Sequence, residues 1–188
     1  MKKILVTGGA GFIGSNFITY MRKKYPKYYI VSLDKLACNS DSENYKTIKG
    51  DISDRKFIFD LFEKEKFDIV INCAYESDIE KYSDLQSIFT ITNIIGTQIL
   101  LDASVECNVG RYHQVSTSEA YGELCDKKVP SYLSSRLAGD LLVKVYKNEY
   151  GLRATLSKDK VDEGNIEEYC QSIENEINKK YILNNNIL

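Results

Sequence analysis

Residues 4–14, Ile-Leu-Val-Thr-Gly-Gly-Ala-Gly-Phe-Ile-Gly, constrain the fold of this chain more than any other stretch. Ile4, Leu5 and Val6 make a short apolar run of the kind that forms a buried strand. Gly8, Gly11 and Gly14 follow at three-residue spacing. A helix-compatible pattern begins near Phe12 and continues through Phe17, Ile18 and Met21. Strand, glycine turn and helix, in that order, is the setting a dinucleotide site requires. Gly8 permits the tight turn, Gly11 lets the backbone approach a pyrophosphate, and Gly14 lets the helix pack closely. Free N–H groups and the positive end of the helix dipole meet the phosphate charge. The same glycines also suit an ordinary tight turn; the strand before them favours the nucleotide.

The chain has 188 residues, which argues for one domain or at most two. At 43% hydrophobic and 28% charged it has the balance of a soluble globular protein. A net charge of −2 gives no overall field toward nucleic acid or an anionic membrane, so neither is an expected partner. No apolar run approaches the length of a membrane span. The basic N-terminus loses its apolar run at Thr7-Gly8-Gly9 and does not read as a signal peptide. Cys38, Cys73, Cys107, Cys125 and Cys170 lie far apart, which suits a reducing cytoplasm and argues against a disulfide framework or zinc site. The single histidine, His113, leaves no histidine-rich metal chemistry and reads as structural.

The rest of the chain alternates strands and helices. A second strand, Tyr28 to Leu33, ends at Asp34, 20 residues after Gly14. A carboxylate there suits both hydroxyls of an adenosine ribose and repels a 2′-phosphate, which favours NAD over NADP. Lys35, next to it, weakens that discrimination. Tyr45 to Lys49 is a short strand, and Asp51 and Ile52 follow it, where an adenine would find one polar and one apolar neighbour. Ser53 or Asp54 caps a helix bearing Phe57, Ile58, Leu61 and Phe62. Phe67 to Cys73 reads as a central parallel strand, followed by a polar turn, Ala74-Tyr75-Glu76-Ser77-Asp78. A long helix spans about 84–107, with Ile88, Ile91, Ile95, Ile99 and Leu100 apolar and Thr92 and Asn93 in its middle. Arg111 to Val115 is a fifth strand leading to Ser116-Thr117-Ser118-Glu119. A helix follows at about 132–150, then a strand at Leu152 to Leu156. The tail carries Ile166, Tyr169, Cys170, Ile173, Ile177 and Tyr181 at helical spacing.

This alternation predicts an α/β fold: a doubly wound, Rossmann-type parallel sheet with helices on both faces and a reduced C-terminal part. Residues 1–156 form the dinucleotide-binding domain and 157–188 a helical tail. The marked residues all follow the carboxyl ends of strands, where such sheets bind ligands.

In this order, Thr-Gly-Gly-Ala-Gly-Phe-Ile-Gly, Asp34-Lys35-Leu36, Gly50-Asp51-Ile52, Ala74-Tyr75-Glu76-Ser77, Thr92-Asn93-x-x-Gly96-Thr97 and Ser116-Thr117-Ser118-Glu119-Ala120-Tyr121-Gly122 resemble the extended short-chain dehydrogenase/reductases. The chain looks most like the nucleotide-sugar 4,6-dehydratases, particularly the dTDP-glucose branch, over about residues 1–155. The resemblance implies bound NAD and a self-contained redox cycle. A hydride leaves the sugar C4 for the cofactor while a tyrosine takes the 4-hydroxyl proton. A glutamate removes the C5 proton, water leaves from C6, and the hydride returns to C6. Tyr132 matches the tyrosine and Glu119 the glutamate. Thr117 would bond the 4-oxygen, and Ser77 would contact substrate. Phe12, Ile13, Asp34, Asp51, Ile52 and Thr92 would contact NAD, with the glycines, Lys35, Ala74 and Tyr75 completing the site. The resemblance also implies a homodimer, formed by pairing helices at about 84–107 and 132–150.

Several positions depart from that pattern. A phenol needs a nearby cation to act as a base at neutral pH. The family places a lysine four residues after the tyrosine, which also holds the nicotinamide ribose; here Arg136 stands there. Arginine keeps the charge with a larger, differently directed fork. Ser118 stands where the dTDP-glucose enzymes have an aspartate; Thr-Ser-Glu resembles the GDP-mannose and some UDP-sugar dehydratases, where serine would relay a proton through water. Asp78 replaces a frequent histidine. Only nine residues, Glu123 to Ser131, separate Gly122 from Tyr132, and the stretch expected after Thr155 is absent, so the tail reads as the remnant of a substrate domain. Three readings stay open: a 4,6-dehydratase, a catalytically impaired NAD-binding or interaction protein on the same fold, and, as a minor one, a 4-epimerase or reductase.

Overall fold

Side chains that alternate along a strand must find two apolar layers if both faces are covered. In β1 (Lys3–Thr7) Leu5 joins one core cluster, while Ile4 and Val6 join the other. β2 (Tyr29–Asp34) divides likewise, Val31 and Leu33 against Ile30. The computed structural model describes residues 1–36, 41–77, 87–116, 131–157 and 161–179. Its sheet adds β3 (Tyr45–Lys49), β4 (Ile69–Asn72), β5 (Arg111–Val115) and β6 (Ala154–Ser157), in the order β3-β2-β1-β4-β5-β6. Every neighbouring pair is parallel. The doubly wound parallel sheet read from the sequence is therefore present. The strand order reverses between β1 and β4, which opens a crevice at their carboxyl ends.

α1 (Phe12–Lys24) packs on the face carrying Ile4, Val6, Ile30 and Ile71. α2 (Arg55–Glu65) packs on the opposite face; Asp54, rather than Ser53, caps it by accepting from the Phe57 N–H at 3.0 Å. The long helix is one column of three parts: α3 (Ser87–Thr90), a π-helical segment (Ile91–Gly96) and α4 (Thr97–Glu106). α5 (Ser131–Glu149) lies beside that column.

The π segment corrects one expectation. Ile99 and Leu100 are buried, but Ile91 and Ile95 are 42% and 43% exposed, while Thr92, Asn93 and Gly96 face inward. A π turn bonds i to i+5, so it shifts the faces that a uniform 3.6-residue period implies. A second expectation also needs correction. Ser87–Glu106 is 20 residues long and contains an 18-residue window of mean hydropathy 1.4, long and apolar enough to cross a membrane on length and composition alone. Its polar interruptions hide it from a search for an unbroken apolar run. Here it packs against α2 and α5.

α6 (Ile166–Asn178) covers β5 and β6 and packs along α1. Its buried apolar residues, Tyr169, Cys170, Ile173 and Ile177, belong to the stripe expected from their spacing; Ile166 is partly buried and Tyr181 lies outside the described residues. The docking is polar at its rim. Glu174 accepts from Lys24 Nζ at 2.6 Å, from Gln171 Nε2 at 3.0 Å and from the Tyr20 and Tyr25 hydroxyls.

Candidate dinucleotide site

The turn between β1 and α1 is shaped by backbone contacts that leave no room for side chains. Gly8 has φ +65°, in the left-handed region, and a Cβ there would lie 2.7 Å from the Ala74 nitrogen and the Cys73 carbonyl carbon. A Cβ on Gly14 would lie 2.2 Å from the Gly8 carbonyl oxygen, so Gly14 brings the helix onto the turn itself. The result is the first turn of α1 open at the crevice between β1 and β4. It borders a cavity of about 630 Å³ lined by Gly8, Gly11, Phe12, Ile13, Gly14 and Asp34 on one side and by Ala74, Tyr75, Glu76 and Ser77 on the other. That volume is of the size that holds a cofactor-scale ligand.

Asp34 is fixed at the end of β2. Its Oδ2 accepts from the Ala10 N–H at 3.0 Å and its Oδ1 from the Leu36 N–H at 2.9 Å. An ionised carboxylate has about four acceptor sites, so roughly two stay available to hydroxyl donors. Lys35 also lines the cavity, but its ammonium is engaged: Nζ lies 3.3 Å from Asp51 Oδ2 and donates to Thr92 Oγ1 at 3.2 Å. Asp51 Oδ1 accepts from the Ser53 N–H and hydroxyl at 2.8 and 2.7 Å. Burial pushes the Asp51 carboxyl up, yet the Ser53 hydrogen bonds and the Lys35 charge outweigh it and hold the group below the usual carboxylate range. Asp51 itself does not line the cavity; its neighbours Gly50 and Ile52 do, together with Thr92.

The other side leads toward α5. Tyr132 lies in its first turn, its ring 6.5 Å from that of Phe89. Asn93, in the π segment, ties this helix to the loop after β4. Its Oδ1 accepts from the Glu76 N–H at 2.8 Å, and its Nδ2 donates to the Glu76 carbonyl at 3.0 Å and to Ser135 Oγ at 2.8 Å. Ser135 Oγ in turn donates to the Tyr132 carbonyl at 2.8 Å. Arg136 is buried, and its Nη2 donates to the Val115 carbonyl at 3.0 Å while its guanidinium lies 3.6 Å from the Tyr75 ring centroid. Neither Tyr132 nor Arg136 lines the cavity. Thr117, Ser118 and Glu119 lie outside the described residues, as does Asp78. Ser116, just before them, donates to the buried Asp140 carboxylate of α5, which fixes where β5 ends.

Several supporting residues were missed in the sequence. Thr7 and Asn72, the last residues of β1 and β4, and Gln114, the next-to-last of β5, form a buried polar ladder across the three neighbouring strands. Thr7 Oγ1 donates to Asn72 Oδ1 at 2.5 Å, Asn72 Nδ2 donates to Gln114 Oε1 at 2.9 Å, and the Tyr112 hydroxyl donates there at 2.8 Å. For Thr7 and Asn72 the available signal was a polar residue ending an otherwise apolar strand; Gln114, inside the run Arg-Tyr-His-Gln-Val, carried no such signal. Val161, in the charged stretch after β6, also lines the cavity, and nothing in its sequence context marks it. Cys73 lines the cavity too, but burial pushes its thiol up to about 12, which keeps it neutral and unreactive.

Residues 4–158 match the NAD dependent epimerase/dehydratase family. A human dTDP-D-glucose 4,6-dehydratase is 37% identical over 175 residues, covering 84% of this chain and 50% of that one. The chain thus spans about half the length of the curated relatives it matches. Among solved structures, a dTDP-glucose 4,6-dehydratase from Bacillus anthracis in complex with NAD superposes with a TM-score of 0.70 at 30% identity, covering 84% of this chain and 54% of that one. A UDP-glucose 4-epimerase from Thermotoga maritima with UDP-glucose gives a TM-score of 0.73 at 25% identity, covering 83% and 54%. With a matched segment that runs from β1 through β6 and includes the whole glycine turn, the chain belongs to the NAD dependent epimerase/dehydratase family.

Proposed function

We propose that this chain binds NAD and acts in the dehydration of a nucleotide-sugar to its 4-keto-6-deoxy form. The observation that carries the reading is the cavity formed where the Gly8–Gly14 turn, the pinned Asp34 carboxylate and the Ala74–Ser77 loop meet. These residues fit the cofactor: side chains are excluded where phosphates would approach, and acceptor sites remain where ribose hydroxyls would donate. Phe12 and Ile13 would hold the pyrophosphate through the start of α1, with Gly11, whose N–H donates to the Gly8 carbonyl at 3.0 Å, leaving room for its approach. Asp34 would hold the adenosine ribose, with Ile52 and Thr92 at the adenine end. When bound, NAD supplies a hydride acceptor that later returns the hydride.

The chain's own residues manage protons. Tyr132 would take the proton of the sugar 4-hydroxyl, and Thr117 would bond the oxygen it leaves. Glu119 would take the C5 proton, and Ser118 would pass a proton to the departing hydroxyl through water. The Glu119 carboxylate also favours elimination over 4-epimerisation. A homodimer belongs to the same reading. Ile91 and Ile95 on the π segment and Leu141 and Val145 on α5 leave an exposed apolar face on two adjacent helices, which a second copy would cover. A reducing cytoplasm suits Cys73, Cys107 and Cys170, which are free thiols.

Incubation with NAD+ and, in turn, dTDP-glucose, GDP-mannose and UDP-GlcNAc tests the reaction. The expected result is a 4-keto product from at least one sugar. Glu119→Gln should lower turnover by roughly 10²-fold or more while NAD binding persists. Absence of turnover with NAD bound would contradict the dehydratase. It would favour the second reading, a catalytically impaired NAD-binding protein, which the commitment of Arg136 to Val115 and Tyr75 supports.

A further inference from the structure

Tyr75 stands between the cavity and Arg136. Its ring lines the cavity, and the guanidinium lies 3.6 Å from its centroid, a van der Waals stacking distance. Arg136 is only 6% exposed, and the Val115 carbonyl and the Tyr75 ring face compensate its guanidinium for lost water. Tyr132 and Arg136 are both outside the cavity, so a ligand reaching this end meets the tyrosine ring first. At the opposite end Asp34 fixes where an adenosine would sit, and the turn fixes the phosphates between.

We propose that Tyr75 is a specificity-determining gate: stacked on Arg136, it confines the closed cavity to the ADP-ribose part of a dinucleotide, and a nicotinamide enters only when the ring leaves the guanidinium. The proposal rests on the dinucleotide reading above and adds which part of the ligand the site reads unaided. This cation–π stack, its guanidinium buried and its tyrosine 37% exposed, weights the closed form by roughly tenfold. A ligand that needs the open form has its apparent affinity lowered by that ratio. A ligand that ends before the ring does not.

Calorimetric titration of the whole chain with ADP-ribose, NAD+ and NADH tests this, because the three differ only at the nicotinamide. The wild type should bind ADP-ribose about tenfold more tightly than NAD+. NADH, whose ring is uncharged, should follow NAD+, since the gate acts on size. Tyr75→Phe keeps the stack and should keep the ratio; Tyr75→Ala should bring it to within about twofold. The wild-type comparison stands whether or not a variant folds. NAD+ bound as tightly as ADP-ribose overturns the gate and leaves the dinucleotide reading intact. NADH matching ADP-ribose overturns it in favour of charge repulsion by Arg136. An unmoved ratio in a cooperatively melting Tyr75→Ala also overturns it. No binding of any of the three removes the dinucleotide reading and the gate together.

Discussion

His113 is fully buried on β5, with Nδ1 2.8 Å from Thr155 Oγ1 and no hydrogen-bond partner for Nε2 among the described residues. Burial lowers its pKa to about 3, because a charged imidazole there would lose its hydration. The unfolded chain takes up the proton near pH 6.5, while the folded chain resists until about pH 3. Its contribution is therefore complete above pH 6.5 and is lost as the pH falls toward 3. Between pH 7 and pH 5 this single group should cost about 2 kcal/mol of stability. Urea unfolding at both pH values checks it: His113→Gln should show a pH dependence shallower by that amount, whatever its absolute stability. The sequence could mark His113 as structural because it sits in a run of strand residues. Its depressed pKa was not legible, since that depends on α6 covering the strand.

At the scale of elements, the join between α1 and α6 depends on Glu174. The carboxylate is buried and takes donors from Lys24, Tyr20, Tyr25 and Gln171. Burial alone would raise its pKa, but the hydrogen bonds from Lys24 and the two tyrosines outweigh it and hold the group below the usual range. Glu174→Gln keeps the shape and removes the charge, so it should destabilise the fold by about 2 kcal/mol. A thermal melt measures this, and an unchanged midpoint would contradict the account. All six strands and the major helices were legible from apolar runs, glycine stops and 3.6-residue spacing. Two things were not. The apolar stripe of α6 was plain, but its polar anchor joins residues about 150 positions apart, which no local pattern reports. The π segment was missed because Ile88, Ile91, Ile95 and Ile99 keep a good α-helical period through it. In that segment Asn93 turns inward and bonds Glu76 and Ser135, contacts that no local pattern reports.

For the molecule as a whole, the apolar face of Ile91, Ile95, Leu141 and Val145 argues for assembly. Sedimentation equilibrium should give a dimer, and the pair Ile95→Glu with Leu141→Glu should give a folded monomer by placing charge on both helices. A monomeric wild type would contradict this. The glycine turn and the strand-end carboxylate were legible because a tight strand-to-helix turn constrains backbone: Gly8, Gly14 and Asp34 appear where spacing put them. The connection between the two halves of the site was not, because Tyr75 over Arg136 and the Asn93 bridge join loops and helices far apart in the chain. On the reading proposed above, this cavity holds a dinucleotide by its phosphates at the start of α1. A crystal of the protein soaked in NAD+ tests it most directly. The expected result is density for the pyrophosphate on the backbone N–H groups of Phe12 and Ile13, with a ribose on Asp34. A cavity left empty at saturating NAD+, or a ligand bound away from that turn, would contradict it.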